Sequence, residues 1–161
     1  MDLTISSEKI GNPLLVELLR KLTDSFSKMD KAIYVIGATA RDIVMQQRLD
    51  AESKRRTRDL DIAIAIPDWD TFEQVKQSLI ADGFEKSSDM QQRFYYGEYE
   101  LDIVPYGVVA KEDDKIYWPP EEEIAMSVKG FDEVLSEAIT VSIDDDFKVK
   151  IASLHGLFLL K

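Results

Sequence analysis

The chain has 161 residues, enough for one domain with a single substantial core and too few for two. Its composition, 45% hydrophobic and 32% charged, excludes an intrinsically disordered chain, and the absence of cysteine excludes disulfides, thiolate metal sites and a cysteine nucleophile. A formal net charge of −11 excludes a uniformly basic surface of the kind that binds nucleic acid by neutralising phosphates.

In chain order, Met1 to Glu8 lack the basic start and apolar run of a signal peptide, and no apolar stretch approaches the roughly 20 residues that span a bilayer. The cytoplasm is the expected compartment, with no membrane partner. Asn12 and Pro13 open a helical pattern in which Leu14, Leu15, Leu18, Leu19 and Leu22 recur at helical spacing, with proline at a tolerated first-turn position. Ala32 to Ile36 reads as a short buried strand ending at Gly37, and Thr39 to Arg48 as a helix with Ile43 and Val44 inward. Lys54-Arg55-Arg56-Thr57-Arg58 is the one dense basic cluster.

Leu60 to Ile66 is the clearest strand: Leu60, Ile62, Ile64 and Ile66 face one way, Asp59, Asp61, Ala63 and Ala65 the other, and Pro67 stops it. Asp68 or Asp70 caps a helix bearing Phe72, Val75 and Leu79 on one face and ending near Gly83. Arg93 to Tyr96 and Glu98 to Val104 flank Gly97 as a hairpin, and a later β segment includes Lys148 to Ile151. The order predicts an α+β fold, a mixed twisted sheet with helices packed mainly on one face. Residues 1–161 are expected to form one domain. Leu154 to Lys161 reads as the start of an apolar helix, so a C-terminal helical region is expected outside this sequence.

The chemistry concentrates in carboxylates. Asp59 and Asp61 project from one face of a strand, and two like charges so close favour a cation between them. Hard oxygen donors suit Mg²⁺, or Mn²⁺ in its place. Taken alone, such a pair also suits an exposed strand edge. Asp102, on another predicted strand, could complete a two-metal site. Upstream, Gly37-Ala38-Thr39 joins strand to helix, where small residues let a phosphate approach backbone N–H groups at a helix N-terminus.

Strand, Gly-Ala turn, helix, Arg/Thr-rich loop, Asp-x-Asp strand and a later Asp strand, in that order, resemble the DNA polymerase beta-like nucleotidyltransferase superfamily. Arg55-x-Thr57-x-Asp59-x-Asp61 resembles its bacterial abortive-infection, type IV toxin–antitoxin (AbiEii-like) branch. The segments Val35 to Asp42, Ile66 to Trp69, Leu101 to Gly107 and Ala152 to Leu157 extend the resemblance over roughly residues 32 to 161. Gly37-Ala38 departs from the usual Gly-Gly or Gly-Ser turn.

The resemblance implies transfer of a nucleoside monophosphate from an NTP to an acceptor hydroxyl with release of pyrophosphate. Asp59 and Asp61 would bridge metals and triphosphate, and Asp102 would bind the catalytic metal and help deprotonate the acceptor. Gly37, Ala38 and Thr39 would line the phosphate turn, Arg58 or Arg55 would neutralise phosphate, and Lys161 would contact phosphate or base. Arg41 would either neutralise phosphate or pair with a local carboxylate. The acceptor is RNA, a protein or a small molecule, and an antitoxin or a second copy of the chain is a candidate partner. The alternative is a catalytically silent nucleotide- or partner-binding module on the same fold. Three further features read as structural: His155, the single histidine, as a turn residue; Trp118-Pro119-Pro120 with Glu121 to Glu123 as a surface loop; and Asp144-Asp145-Asp146 as a solvated turn.

Overall fold

The computed structural model describes residues 2–49, 58–110, 112–119 and 125–152. His155, Glu121 to Glu123 and Pro120 lie outside the described residues. The elements are β1 (Asp2–Ile5), α1 (Ser7–Ile10), α2 (Pro13–Lys28), β2 (Tyr34–Ile36), α3 (Gly37–Leu49), β3 (Asp59–Ala65), α4 (Trp69–Ala81), β4 (Glu85–Lys86), β5 (Arg93–Tyr96), β6 (Tyr99–Tyr106), β7 (Lys115–Tyr117), β8 (Ala125–Ser127), α5 (Phe131–Leu135), β9 (Ile139–Ile143) and β10 (Phe147–Ile151).

Asn12 starts α2 as an N-cap, its side-chain oxygen accepting from the Leu15 N–H at 3.1 Å, with Pro13 in the first turn where no hydrogen bond is lost. The face so set buries Leu15, Leu18, Leu19, Leu22 and Phe26, while Leu14 stays at the rim. Each of these burials stabilises the fold by roughly 1.5–3 kcal/mol. Asn12 also donates from Nδ2 to the buried Tyr99 hydroxyl at 3.0 Å, so one side chain both begins the helix and ties it to β6. Asp68 caps α4 by accepting from Thr71 N–H at 2.8 Å.

Eight strands form one mixed sheet in the order β1-β9-β10-β2-β3-β6-β5-β4, and β7 pairs with β8 separately. β3 and β6 are parallel at its centre, β2 antiparallel to β3, and β5 antiparallel to β6. Cross-strand partners share a face, so the registers sort the side chains. One face carries Val35, Leu60, Ile62, Ile64, Phe94, Leu101, Ile103, Val141, Val149 and Ile151, all buried in one core with residues of α2, α3 and α4. The other carries Tyr34, Asp59, Asp61, Glu100, Asp102 and Tyr106. Phe131 of the short α5 packs on that second face, 5.8 Å from the Tyr106 ring.

Pro105 sits in register with Ile64 inside β6, a central strand where a missing N–H should be costly. The preceding residue of the same parity, Ile103, donates to Gln92 O at 2.9 Å, and β5 pairing ends at Arg93↔Asp102. The N–H that proline lacks would therefore point where the neighbouring strand has already stopped.

Asp144, Asp145 and Asp146 form the exposed β9–β10 turn, with Asp144 and Asp145 at φ 55° and 53°. Asp144 accepts from the Ser7 N–H at 2.8 Å and Asp146 pairs with Arg20, so the turn fastens α1 and α2 to the sheet. Trp118, in contrast, is not a surface-loop residue. It is 4% exposed, its ring centroid 4.7 Å from Trp69 and 5.1 Å from Phe72. A nearly buried indole is worth more as packing surface than as a platform open to a base. Pro119 beside it is exposed, as a loop residue should be.

Replacing Asn12 by Ala removes a cap and a tether, and is expected to lower the urea-unfolding free energy by about 1–2 kcal/mol with an unchanged m-value. A hydrogen bond from Ser25 at 2.6 Å, with Lys28 nearby, holds Asp82 below its ordinary carboxylate value of 3.8. A depressed folded pKa gives stability that is present above the unfolded value and drains as pH falls through the folded one. Ser25→Ala should therefore flatten the acid limb of the stability–pH curve below about pH 4, read by thermal melts at stepped pH.

Candidate functional site

The acidic end of the second sheet face is built by strand register. Asp59 and Asp61 lie two apart on β3, and across the parallel ladder Asp59 partners Glu100 while Asp61 partners Asp102. Four carboxylate side chains thus leave one face along two adjacent strands, whose backbones in any sheet run about 4.8 Å apart. Asp59 is exposed, and Asp61 and Asp102 are half-buried.

Gly37 closes one flank. β2 ends at Ile36, the register partner of Asp61, and the chain turns into α3 at Gly37 with φ +74°. A Cβ at Gly37 would lie 2.7 Å from Asp61 Oδ2 and 3.5 Å from Asp61 Cβ, so a larger residue in this left-handed turn would require the carboxylate to swing aside. Two residues on, the buried Thr39 donates from Oγ1 to the Asp59 carbonyl at 3.1 Å, fixing the start of β3 to the first turn of α3. Ala38 lies half-buried between them.

The basic residues expected at phosphate divide. Arg58 pairs with Glu98, both side chains largely exposed. Arg41 lies exposed on α3 and pairs with no described carboxylate. Arg55 and Lys161 lie outside the described residues.

Sequence reasoning missed Arg93 and Glu100. Arg93, on β5, is the antiparallel register partner of Asp102, and its guanidinium takes both carboxylate oxygens: Nε to Oδ1 at 2.9 Å and Nη2 to Oδ2 at 3.1 Å. Nη1 lies 3.7 Å from Glu100 Oε2. The hydrogen-bonded fork on Asp102 pushes the Arg93 pKa upward, against burial, so its charge is permanent. Glu100 precedes Asp102 by two, and the two-residue Gly97-Glu98 turn brings residue 93 opposite residue 102, whereas the hairpin predicted about Gly97 alone would set it opposite residue 101.

Two, three or four oxygens of this kind suit a hard divalent cation in chemistry. Their convergence is less advanced. Among the described residues, no three His, Cys, Asp or Glu side chains stand as a metal-holding group, and both Asp102 oxygens are engaged by Arg93.

No protein-family model and no curated protein matches the chain. Solved structures do. The crystal structure of ANT(2″)-Ia in complex with adenylyl-2″-tobramycin, an aminoglycoside nucleotidyltransferase, aligns at a TM-score of 0.50 with 13% identity, over 89% of this chain and 72% of that one. The fold is that of a nucleotidyltransferase. A solution structure of ANT(2″)-Ia, described as revealing substrate-regulated conformation dynamics, aligns at 0.44 with 14% identity, over 69% of this chain and 60% of that one. The sheet and helices of the nucleotidyltransferase fold are present at an identity too low to carry residue roles across. No helix among the described residues is long and apolar enough to cross a membrane.

Gly37→Ala introduces both a left-handed backbone cost and a collision with Asp61, whereas Gly97→Ala, at φ +58° with nothing within 4 Å, meets the backbone cost alone. Both variants should lose roughly 1–2 kcal/mol from the positive φ. Gly37→Ala should lose measurably more in urea denaturation, and equal losses would show that Asp61 yields freely.

Proposed function

We propose that this chain transfers a nucleoside monophosphate from an NTP to an acceptor hydroxyl, releasing pyrophosphate. The observation that supports it best is the pairing of Asp61 with Asp102 on adjacent parallel strands, beside a left-handed Gly37 turn packed against the Asp61 carboxylate. In this reading the acceptor oxygen bonds to the α-phosphorus as the bond to the bridging oxygen of the β-phosphate breaks, and pyrophosphate departs. Asp102 would bind the catalytic metal and help take the hydroxyl proton, and Asp59 and Asp61 would hold Mg²⁺ or Mn²⁺ with the triphosphate, the cation supplying charge neutralisation on the phosphates. Gly37, Ala38 and Thr39 line the triphosphate turn, while Arg41, Arg55, Arg58 and Lys161 offer positive charge for phosphate or, from Lys161, a base contact.

The adenylyl-aminoglycoside in the structural neighbour has the form of such a product, a nucleotidyl group on an acceptor oxygen. The Arg55-x-Thr57-x-Asp59-x-Asp61 spacing supports the finer assignment to the abortive-infection, toxin–antitoxin branch, with RNA, protein or a small molecule as acceptor, in the cytoplasm, and with an antitoxin or second copy as partner. A catalytically silent nucleotide- or partner-binding module is favoured by one observation, the engagement of both Asp102 oxygens by Arg93.

Isothermal titration with Mg²⁺ and each NTP is expected to give metal-dependent binding that Asp59→Ala and Asp61→Asn abolish. Incubation with α-labelled NTP and cell extract should then transfer label to the acceptor fraction with release of pyrophosphate. Metal-dependent binding without any label transfer would establish the silent module, and binding indifferent to both substitutions would remove the carboxylates from the reading.

A further inference from the structure

We infer that the groove between the C-terminal end of α2 and the β2-side edge of β10 is an anion site for the phosphate dianion of a small ligand. β2 partners β10 only at Lys150 and Ile151, so β10 from Phe147 to Val149 has no β2 residue beside it. The end of α2, the residues leading into β2 and this stretch of β10 border an open groove of about 440 Å³, a volume within the range of small-ligand sites. Its floor is Phe26, Ile33 and Val149, all buried in the core. The groove stands where β2 begins and the Gly37 turn where β2 ends, so the inference goes beyond the carboxylate end of the sheet and does not rest on the nucleotidyltransferase reading.

Three ammonium groups line the groove, from Lys31, Lys148 and Lys150, against one carboxylate, that of Asp30. Gathering like charges is unfavourable unless an opposite charge joins them. The chain has 31 acidic residues, yet among the described residues no carboxylate forms an ion pair with any of these lysines. Lys31 reaches Asp68 only as the weakest of the influences that lower the Asp68 pKa. Lys150 is placed by the Tyr34 ring instead, its Nζ 5.6 Å from the ring centroid. Ser27 adds an exposed hydroxyl. Three positive charges less one negative leave a lining charge of +2. A phosphate monoester carries about −1.5 to −2 near neutral pH and offers several acceptor oxygens. A carboxylate, with a single charge, would leave the groove positive.

Titration of the full chain with ribose 5-phosphate at low salt in EDTA, followed by two-dimensional NMR, tests the site without help from a bound metal. Shifts are expected at the Ser27, Lys31 and Lys148 amides, and none with ribose. Lys148→Gln and Lys150→Gln should each weaken binding about two- to fivefold. Asp30→Asn, at φ 54° where asparagine is tolerated, should strengthen it. Lys115→Gln, on the exposed side of β7, should leave it unchanged. Urea midpoints confirm that each variant is folded. Inorganic phosphate separates the sources of the dianion: tighter binding of ribose 5-phosphate assigns the groove to a small phosphate ester, equal binding assigns it to free phosphate, and both uphold the site. Silent groove amides, affinity unchanged in both folded groove-lysine variants, or equal weakening by Lys115→Gln overturns the inference. The nucleotidyltransferase reading is untouched by that outcome, because it is decided by metal-dependent NTP binding.

Discussion

Parallel pairing of β3 with β6 is the constraint on which the rest of this structure depends. It sets Asp61 level with Asp102 and Asp59 level with Glu100, and so creates an electrostatic problem that the surrounding elements answer. Arg93 answers it from β5, through a register that the tight turn at Gly97 imposes. The α3 turn answers it from the other side, where Gly37 leaves the Asp61 carboxylate unobstructed and Thr39 pins the β3 backbone. The opposite face of the same strands bears only aliphatic and aromatic side chains in the core, so β3 cannot slip by one residue without burying its carboxylates. Core burial thus fixes the positions of the charges.

Much of this was legible in the residues. Period-two alternation in Leu60 to Ile66 identified the strand and its polar face, and Asn12-Pro13 and Asp68 marked helix starts that the structure bears out. The α+β sheet with helices mainly on one face follows from that order of elements. Three things did not. β1 has only four residues and becomes a strand by pairing in parallel with β9, a contact across nearly the whole chain that no local pattern announces. The buried place of Trp118 depends on Trp69 and Phe72, which lie far from it in sequence, whereas the prolines after it signal a loop. The pairing of Arg93 with Asp102 depends on the length of the turn between β5 and β6, which the alternation within either strand does not encode.

The helices divide the sheet unequally. α2, α3 and α4 join one large core, and among the described residues Phe131 of α5 packs on Tyr106 of the other face, where Asp61 and Asp102 stay half-buried. A face given entirely to packing could not hold four acids, and one left wholly bare could not shield the Arg93 pair. Partial cover reconciles the two demands.

Pro105 bears on how far β6 can extend. Past Ile103 the outer edge of β6 is not paired with β5, yet Val104, Pro105 and Tyr106 are all buried, so that stretch is covered from within the chain. A backbone N–H enclosed there would need an acceptor that β5 no longer supplies. The pyrrolidine ring carries no such donor, so β6 can outrun its neighbour without stranding a polar group.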